Sequence, residues 1–280
     1  METLETQLAR FPVRRIGANP AAALPAYREA GSGYPLVLLH GLGSGSDSFL
    51  RQLETLSERF RVLAWDAPGY GDSPALPQPA PAAADYADAL AGLLDALGLD
   101  RVLLAGHSLG ALTAAAFAAA HPRRLGGLIL LNPAGGHGAA EETLREEKLN
   151  ARLALMDRLG PRGMAEKRGA ALLSPAASDE ARRMAVWSMS QLRPGGHAQA
   201  ARMLASGRLA EDAARYAGPV LVLGSSGDTM TPEAGCRAIA AAFPKGRYVS
   251  IAGPGHASYL EAPAAINACI EEFAREIGWT

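Results

Sequence analysis

The sequence predicts an α/β protein in which a mostly parallel β-sheet is flanked by helices. Short apolar runs of strand length recur along the chain, and helical patterns fall between them. The runs do not alternate apolar and polar residues, as expected where helices cover both faces of a parallel sheet. The predicted strands begin at Leu36, Val62, Val102, Leu128, Val220 and Tyr248. The predicted helices lie near 47–59, 83–97, 110–120, 233–243 and 263–276.

One long interval, from Asn132 to Ala217, contains no strand-like run. An excursion of this length between two strands predicts a helical cap inserted over the carboxyl edge of the sheet. We therefore divide the chain into a core, residues 1–135 and 216–280, and a cap, residues 136–215. The predicted cap helices are Glu141 to Leu159, Met164 to Leu173, Asp179 to Leu192 and His197 to Leu209.

Composition excludes several classes of function. The 280 residues are 49% apolar and carry a formal net charge of −1, without the basic excess that nucleic acids or anionic membranes attract. Cys236 and Cys269 form neither a disulfide framework nor a metal-spaced set, which favours a reducing compartment. No secretory signal and no long apolar segment is apparent. We expect a soluble cytoplasmic monomer or homodimer that binds a small-molecule substrate and needs no metal or cofactor.

The run from Val102 to Phe117 places Ser108 at an abrupt corner between a strand and an alanine-rich helix. Its centre, Gly106-His-Ser-Leu-Gly, matches the G-x-S-x-G nucleophile elbow. Such a corner needs small residues, because the serine adopts a strained backbone conformation while the strand and helix approach closely. The alternative is an ordinary glycine-rich turn.

A serine hydroxyl needs a base and a group that orients that base. His256 follows the last predicted strand on a small-residue loop, Gly253-Pro-Gly-His, and is the candidate base. Asp228 follows the Val220 strand and is the candidate acid. Asn132, after the Leu128 strand, carries no charge, and Asp66 and Asp72 are rival carboxylates in a Pro/Gly-rich loop. The remaining histidines are assigned bracing, capping or surface positions: His40, His107, His121, His137 and His197. Of these, His137 and His197 belong to the cap, where contact with a ligand is the alternative to a surface position.

Acyl transfer also needs donors for the oxyanion. The backbone N–H of Leu109 directly follows the nucleophile, at the start of a helix, and the N–H of Leu42 lies in the glycine-rich loop His40-Gly-Leu-Gly. We predict that these two amides form the oxyanion hole. The candidate substrate contacts are Gly41, His107, Trp187 and Met230.

Taken together, these motifs resemble those of the α/β-hydrolase fold superfamily, in its capped, esterase-like branch. The resemblance extends from about Ala26 to the carboxyl end. The motifs are His40-Gly-Leu-Gly, Asp66-Ala-Pro-Gly-Tyr-Gly-Asp-Ser, Gly106-His-Ser-Leu-Gly, Gly227-Asp-Thr-Met-Thr-Pro and Gly255-His256. The order serine, acid, histidine also agrees with this architecture. Relatives with epoxide hydrolase or dehalogenase activity place an aspartate at the elbow, where this chain has Ser108.

The leading functional hypothesis is a cofactor-independent serine hydrolase that cleaves a small, largely apolar carboxylic ester through an acyl-enzyme. The alternative is a carbon–carbon bond hydrolase acting on ring-cleavage (meta-cleavage) dienones. Such hydrolases resemble this chain in cap size, but often carry a tryptophan after the catalytic histidine, where this chain has Ala257. A third hypothesis, from another class, is a ligand receptor with a vestigial triad, and the complete set of Ser108, Asp228 and His256 argues against it.

Overall fold

Seven strands form one sheet in the computed structural model, which describes residues 2–17 and 24–280. The sheet order is β1-β3-β2-β4-β5-β6-β7, and every neighbouring pair is parallel except β1 and β3. The strands are β1 (Tyr27–Ala30), β2 (Tyr34–Leu39), β3 (Phe60–Trp65), β4 (Val102–His107), β5 (Leu125–Leu131), β6 (Val220–Ser225) and β7 (Gly246–Ile251). This arrangement confirms the predicted fold class.

Helices cover both faces of the sheet, so strand residues alternate between two buried cores. In β2, Val37 and Leu39 pack with the helices at residues 83–96 and 110–120, whereas Leu36 and Leu38 pack with those at 50–56 and 263–276. Since neither face meets water, the strands are apolar throughout. The helices are α1 (Leu4–Ala9), α2 (Leu50–Leu56), α3 (Ala83–Ala96), α4 (Gly110–Ala120), α5 (Glu142–Arg168), α6 (Asp179–Ser190), α7 (Pro194–Ser206), α8 (Leu209–Ala213), α9 (Glu233–Ala242), α10 (Ser258–Glu261) and α11 (Pro263–Glu276).

Strand β1 was not predicted from the sequence. It pairs antiparallel with β3 at the edge of the sheet, where Tyr27 lies opposite Trp65. Its middle residues, Arg28 and Glu29, are charged and only partly buried. An edge strand has one free flank and tolerates charge, so it lacks the continuous apolar run of the central strands.

The interval between β5 and β6 holds α5 to α8, and no strand is found between residues 132 and 219. Helix α5 is kinked at Gly160, whose φ of 61° lies in the left-handed region, directly before Pro161. The kink separates the two segments that the sequence predicts as distinct helices. Helix α7 begins at Pro194 rather than His197. The exact division into core and cap at residues 135/136 and 215/216 stays a prediction.

The longest helix, α5, is strongly polar, and none of the helices in residues 2–17 and 24–280 has the length and hydropathy needed to cross a bilayer.

Candidate active site

The turn between β4 and α4 holds Ser108 in a strained conformation. Its φ is 50°, in the left-handed region that residues with a side chain rarely adopt. A Cβ at Gly106 would lie 2.5 Å from the Gly110 carbonyl oxygen, and one at Gly110 would lie 2.4 Å from that of Leu39. The Ser108 amide donates to the Leu131 carbonyl at 2.9 Å, which secures the turn. Strand and helix therefore meet as the elbow pattern predicts.

Ser108, His256 and Asp228 are brought together in one hydrogen-bonded chain. His256 Nε2 lies 2.8 Å from Ser108 Oγ, and His256 Nδ1 lies 2.8 Å from Asp228 Oδ2. Because a carboxylate only accepts, Nδ1 carries the proton and Nε2 accepts from the serine hydroxyl. Both partners of the serine are almost fully buried. This is the geometry that a general base and its orienting acid require.

The Asp228 carboxylate is surrounded by donors. Its Oδ1 accepts from the amides of Met230 at 2.7 Å and Thr231 at 3.0 Å, and its Oδ2 accepts from the Thr231 hydroxyl at 2.6 Å. Burial alone would raise the pKa of Asp228, but the hydrogen bond and charge of His256, with the bonds from Thr231, hold it well below its ordinary value. Asp228 is therefore ionised at neutral pH.

Asn132, which the sequence offered only as an uncharged alternative, has a supporting position. Its amide Nδ2 donates to Asp228 Oδ2 at 2.8 Å, while its Oδ1 accepts from the Ser258 hydroxyl at 2.7 Å. Its φ of 44° is left-handed, a region that asparagine tolerates better than most residues. Of the two strand ends considered for the acid, the end of β6 therefore supplies the carboxylate of Asp228. The end of β5 supplies Asn132, which donates a hydrogen bond to it.

The rival carboxylates make other contacts. Asp66 is buried and accepts from the Ser46 amide at 2.9 Å, and Asp72 is exposed and pairs with Arg15 at 2.8 Å. Both brace the loop after β3, as their surroundings predict. Neither is bonded to His256.

The two predicted oxyanion donors flank the nucleophile. Leu109 directly follows Ser108, and Leu42 lines the cavity in which the serine lies. Neither amide has a hydrogen-bond acceptor among the residues that the structure describes. Gly41 approaches so closely that a Cβ there would lie 3.2 Å from the Ser108 Cβ. The arrangement suits backbone stabilisation of a developing oxyanion.

The loop that carries Leu42 is braced from below by His40. The ring Nε2 accepts from the Ala67 amide at 3.0 Å, and Nδ1 donates to the Gly41 carbonyl at 2.8 Å. Burial lowers the pKa of His40, so the ring is neutral and can fill both roles. Tyr70 adds a bond from its hydroxyl to the Leu42 carbonyl at 3.0 Å. These contacts fix the position of the predicted donor.

His107, predicted to contact substrate, lines the cavity and contacts His256. Its Nε2 is 3.0 Å from the His256 carbonyl, and its ring packs edge-on against Tyr259 with centroids 4.7 Å apart. Burial, with the nearby charge of His256, lowers the pKa of His107 to about 3. A neutral His107 therefore donates from Nε2 and positions the His256 backbone. Gly41 and Met230, the other candidate substrate contacts of the core, also line the cavity.

Trp187 is the predicted substrate contact that the structure places elsewhere. Its indole Nε1 donates to Glu5 of α1 at 3.3 Å, outside the cavity that holds Ser108. The side of α6 that faces inward instead carries Ser188 and Met189. An aromatic residue also packs well between two surface helices. The sequence alone therefore does not show whether Trp187 faces the cavity or the neighbouring helix α1.

The cavity that holds Ser108 has a volume of about 660 Å³ and two walls of different origin. The core wall follows strand ends and consists of Gly41, Leu42, Gly43, Ser44, His107, Ser108, Met230, His256 and Tyr259. The helical wall comes from the interval between β5 and β6 and consists of Lys148, Ala151, Arg152, Ala154, Leu155, Arg158, Met164, Arg168, Leu172, Met189, Leu192 and His197.

The helical wall includes a histidine for which the sequence favours a surface position over contact with a ligand. His197 was expected at the surface, but it is only 2% exposed and lines the cavity. His137 is partly buried, and its Nε2 lies 3.3 Å from an Arg152 nitrogen. Of the five methionines in this interval, only Met164 and Met189 reach the cavity. Side-chain direction around a helix would have been the only signal, and it depends on how the helices pack.

Comparison with known proteins identifies the family. The sequence model of the alpha/beta hydrolase fold matches residues 34–263, which is most of the chain. The chain belongs to this family. The predicted superfamily is thus confirmed.

The curated relatives match only part of the chain, whereas the solved structures match nearly all of it. A 2-hydroxy-6-oxononadienedioate/2-hydroxy-6-oxononatrienedioate hydrolase from Pseudomonas putida is 43% identical over 119 residues, and a 2-hydroxy-6-oxo-6-phenylhexa-2,4-dienoate hydrolase from Comamonas testosteroni is 38% identical over 118 residues. Each match covers 41% of this chain and 41% of the relative, so the chain spans about two fifths of their length.

A thermophilic esterase from Thermogutta terrifontis, with malate bound, superposes over nearly the whole chain. The TM-score is 0.83 at 27% identity, covering 95% of this chain and 98% of the esterase. An enol-lactonase from Burkholderia xenovorans LB400 has a TM-score of 0.73 at 25% identity, covering 94% of this chain and 100% of the other.

Proposed function

We propose that this protein is a serine hydrolase that cleaves a carbon–carbon bond in ring-cleavage dienones of the 2-hydroxy-6-oxo-dienoate type. The connected chain of Ser108, His256 and Asp228 supports hydrolysis through a covalent intermediate. The choice of bond is supported by the 43% identical relative, which is named for this reaction. Of the two reactions that the motifs allow, carbon–carbon bond hydrolysis is therefore favoured over hydrolysis of an apolar ester.

The proposed mechanism begins with proton transfer from Ser108 Oγ to His256 Nε2 as the oxygen attacks the 6-oxo carbon. Asp228 stabilises the imidazolium, and the amides of Leu42 and Leu109 bind the oxyanion. The tautomer that is attacked is the 2,6-dioxo-3-ene, formed when the 2-hydroxyl of the dienoate loses a proton and C5 gains one. Collapse of the tetrahedral adduct breaks the C5–C6 bond, and the electron pair left on C5 delocalises through the 3-ene to the 2-oxo group. That fragment takes its proton from His256. A water molecule, deprotonated by His256, then hydrolyses the acyl-serine.

Carboxylic ester hydrolysis is the second candidate. It is supported by the esterase that matches 95% of this chain, and by Ala257 at the place where carbon–carbon hydrolases often carry a tryptophan. The same residues would act, but an alkoxide or phenoxide would leave instead of a delocalised carbanion. A lone apolar ester group would leave the charged side chains of the helical wall unused.

The deciding experiment compares a 2-hydroxy-6-oxo-dienoate with a panel of aryl esters of graded acyl length. Loss of the dienolate absorbance with a kcat/KM well above that for every ester supports the proposal, whereas the reverse ranking supports the esterase. Ser108→Ala should lower turnover by about 10⁴-fold or more. Unchanged turnover in this variant, or failure of the folded protein to react with a fluorophosphonate, contradicts the mechanism for either substrate.

We also propose a cytoplasmic location. Cys236 and Cys269 are both free thiols, consistent with a reducing compartment.

A further inference from the structure

Two serines on α6 satisfy their hydroxyl groups in different ways. Ser190 Oγ donates to the Trp187 carbonyl oxygen of the same helix at 2.6 Å, a common arrangement for a serine inside a helix. Ser188 is only 2% exposed and makes no such bond in the part of the chain that the structure describes. Its Oγ instead contacts the loop that follows β2. The hydroxyl therefore joins the interval between β5 and β6 to the core.

The two bonds of Ser188 Oγ have fixed directions. The carboxylate of Asp47 only accepts, so the hydroxyl donates to Oδ1 at 2.6 Å. The Gly45 amide only donates, so the same oxygen accepts from it at 3.1 Å. Asp47 is buried, and no other acceptor in residues 2–17 and 24–280 bonds the Gly45 amide. Loss of the hydroxyl would leave a buried carboxylate and a loop amide each short of a partner, which is unfavourable.

The loop that Ser188 contacts also carries the Leu42 amide, the predicted oxyanion donor. The first residues of this loop are held from the core by the bonds of His40 and Tyr70. Glycines occupy alternate positions along the loop, which gives its backbone wide conformational freedom. Bonds at one end alone would therefore leave the direction of the Leu42 N–H poorly fixed. The bond between Ser188 and Gly45 holds the other end.

Met189, the next residue of α6, contacts the same loop from the side of the cavity. A Cβ at Gly43 would lie only 2.9 Å from Met189 Cε, so the methionine packs directly on the loop backbone. Met189 lines the cavity that holds Ser108, whereas Ser188 is bonded to the buried Asp47. Ser188 therefore acts through the loop, and Met189 is the residue of this pair that a substrate can touch.

We propose that Ser188 is a positioning residue for the oxyanion hole: through Gly45 and Asp47 it holds the loop so that the Leu42 amide points at the oxyanion. This inference rests on the proposed function, because it needs Ser108 to attack a carbonyl, but it applies to a dienone and to an ester alike. The interval between β5 and β6 then contributes to the rate of the chemical step as well as to the shape of the cavity.

The kinetic test separates kcat from KM on whichever substrate the parent cleaves faster, a 2-hydroxy-6-oxo-dienoate or p-nitrophenyl butanoate. Ser188→Ala should lower kcat by about 10- to 100-fold, because a displaced oxyanion donor stabilises the transition state less, while KM stays within about threefold. Ser188→Thr keeps the hydroxyl and should recover most of this loss. An unchanged kcat in Ser188→Ala, or a rise in KM alone, overturns the assignment.

Ser190→Ala is the matched control. It removes the same atom from the same helix, but the Ser190 hydroxyl bonds only to residues 187 and 191 beside it in the described chain. Both kcat and KM should therefore stay within about twofold of the parent. An equal fall in kcat in Ser190→Ala and Ser188→Ala would show a general loosening of α6 and contradict a specific hold on the loop.

A transition-state analogue reports on the oxyanion hole without turnover. With an alkyl trifluoromethyl ketone, Ser108 Oγ bonds to the ketone carbon, the serine proton passes to His256 Nε2, and the carbonyl electron pair becomes an oxyanion. The inhibition constant of the ketone should rise about 10- to 100-fold in Ser188→Ala. The matching trifluoromethyl alcohol forms no oxyanion, and its inhibition constant should stay within about twofold. An equal rise for both compounds would show a change in cavity shape and contradict the positioning role.

The same measurements separate this assignment from the proposed function. If the ketone inhibits the parent and Ser188→Ala equally well, the assignment is wrong and the hydrolase proposal survives. If the ketone does not inhibit the parent and a fluorophosphonate does not label Ser108, the hydrolase proposal is wrong and this inference falls with it. Should circular dichroism show that Ser188→Ala does not fold, Ser188→Cys replaces it. A thiol is similar in size but bonds weakly, so kcat should fall at least about threefold, and parental kcat in Ser188→Cys contradicts the assignment.

Discussion

The two walls of the catalytic cavity satisfy their polar groups in opposite ways. In the core wall, His256 is bonded on one side to Ser108 and on the other to Asp228, whose oxygens receive further donors. In the helical wall, Arg152 has a fixed charge and no carboxylate partner in the described chain. A site whose bonds are complete before substrate arrives is organised for chemistry. A wall with unmatched charge keeps polar groups free for contact with a ligand.

One carboxylate connects the two walls. Glu261 accepts from the Gly255 amide at 2.7 Å, next to the catalytic histidine, and from the Ser174 amide at 2.9 Å in the interval between β5 and β6. The Ser174 hydroxyl donates to its other oxygen at 2.6 Å. The histidine loop is thereby fixed to the segment that follows α5. This connection fixes the position of the helical wall relative to Ser108 and His256.

We expect the largest effect on activity from a single substitution in the core wall. Asp228→Asn keeps the size of the side chain but removes the charge that holds His256 with its proton on Nδ1. We expect kcat to fall by about 10⁴-fold, because the wrong tautomer cannot accept the Ser108 proton. Steady-state kinetics on whichever substrate the parent cleaves best, with circular dichroism to verify folding, provides the measurement.

Asp72→Asn is the control for that substitution, since Asp72 is an exposed carboxylate from the rival loop. Its activity should remain close to that of the parent. A drop in Asp72→Asn as large as that in Asp228→Asn, or an active Asp228→Asn enzyme, would mean that the acid has been assigned to the wrong loop.

We expect a smaller effect from substitution of His197 in the helical wall. It concerns the free energy of unfolding and the pH dependence of that free energy. The folded protein holds the pKa of His197 at about 4, below the ordinary value of 6.5, so the unfolded chain takes up a proton first as the pH falls. This histidine therefore lowers the free energy of unfolding between pH 6.5 and pH 4, by about 1.4 kcal/mol per pH unit. His197→Asn should flatten the slope by that amount.

Urea unfolding between pH 7 and pH 5 measures this slope. His107, whose pKa is lowered to about 3, should contribute a parallel loss that remains in the His197→Asn variant. Identical slopes in parent and variant would show that His197 is not held neutral by its surroundings in the helical wall.

The predictability of the two walls from sequence differs for a physical reason. Parallel strands end at one edge of a sheet, so Ser108, Asp228 and His256 could be placed together from their positions after β4, β6 and β7. Backbone chemistry also predicts Leu42 and Leu109 as oxyanion donors, because glycine-rich loops and helix starts expose amides. The order and direction of the strands alone therefore predict most of the residues of the core wall.

The helical wall has no such rule. Charges on α5 occur on several sides of the helix, so its pattern does not reveal that Arg152 faces the cavity whereas Arg162 faces water. The inward direction is set by the kink at Gly160 and by packing on α6 and α7. The same packing buries His197, which the sequence analysis placed at the surface.

The smallest predicted effect concerns Trp187, the aromatic residue that the sequence assigned to substrate. Its indole contacts Glu5 on α1, so Trp187→Phe should change kcat/KM by less than about twofold and stability by about 0.5 kcal/mol at most. Met189, two residues along α6, lines the cavity beside Gly43, and Met189→Ala should alter KM more than Trp187→Phe does. Selectivity measured across acyl lengths would test the pair. If Trp187→Phe changed that selectivity and Met189→Ala did not, α6 would present its other face to the ligand, and the helical wall described above would not be the one that substrate meets.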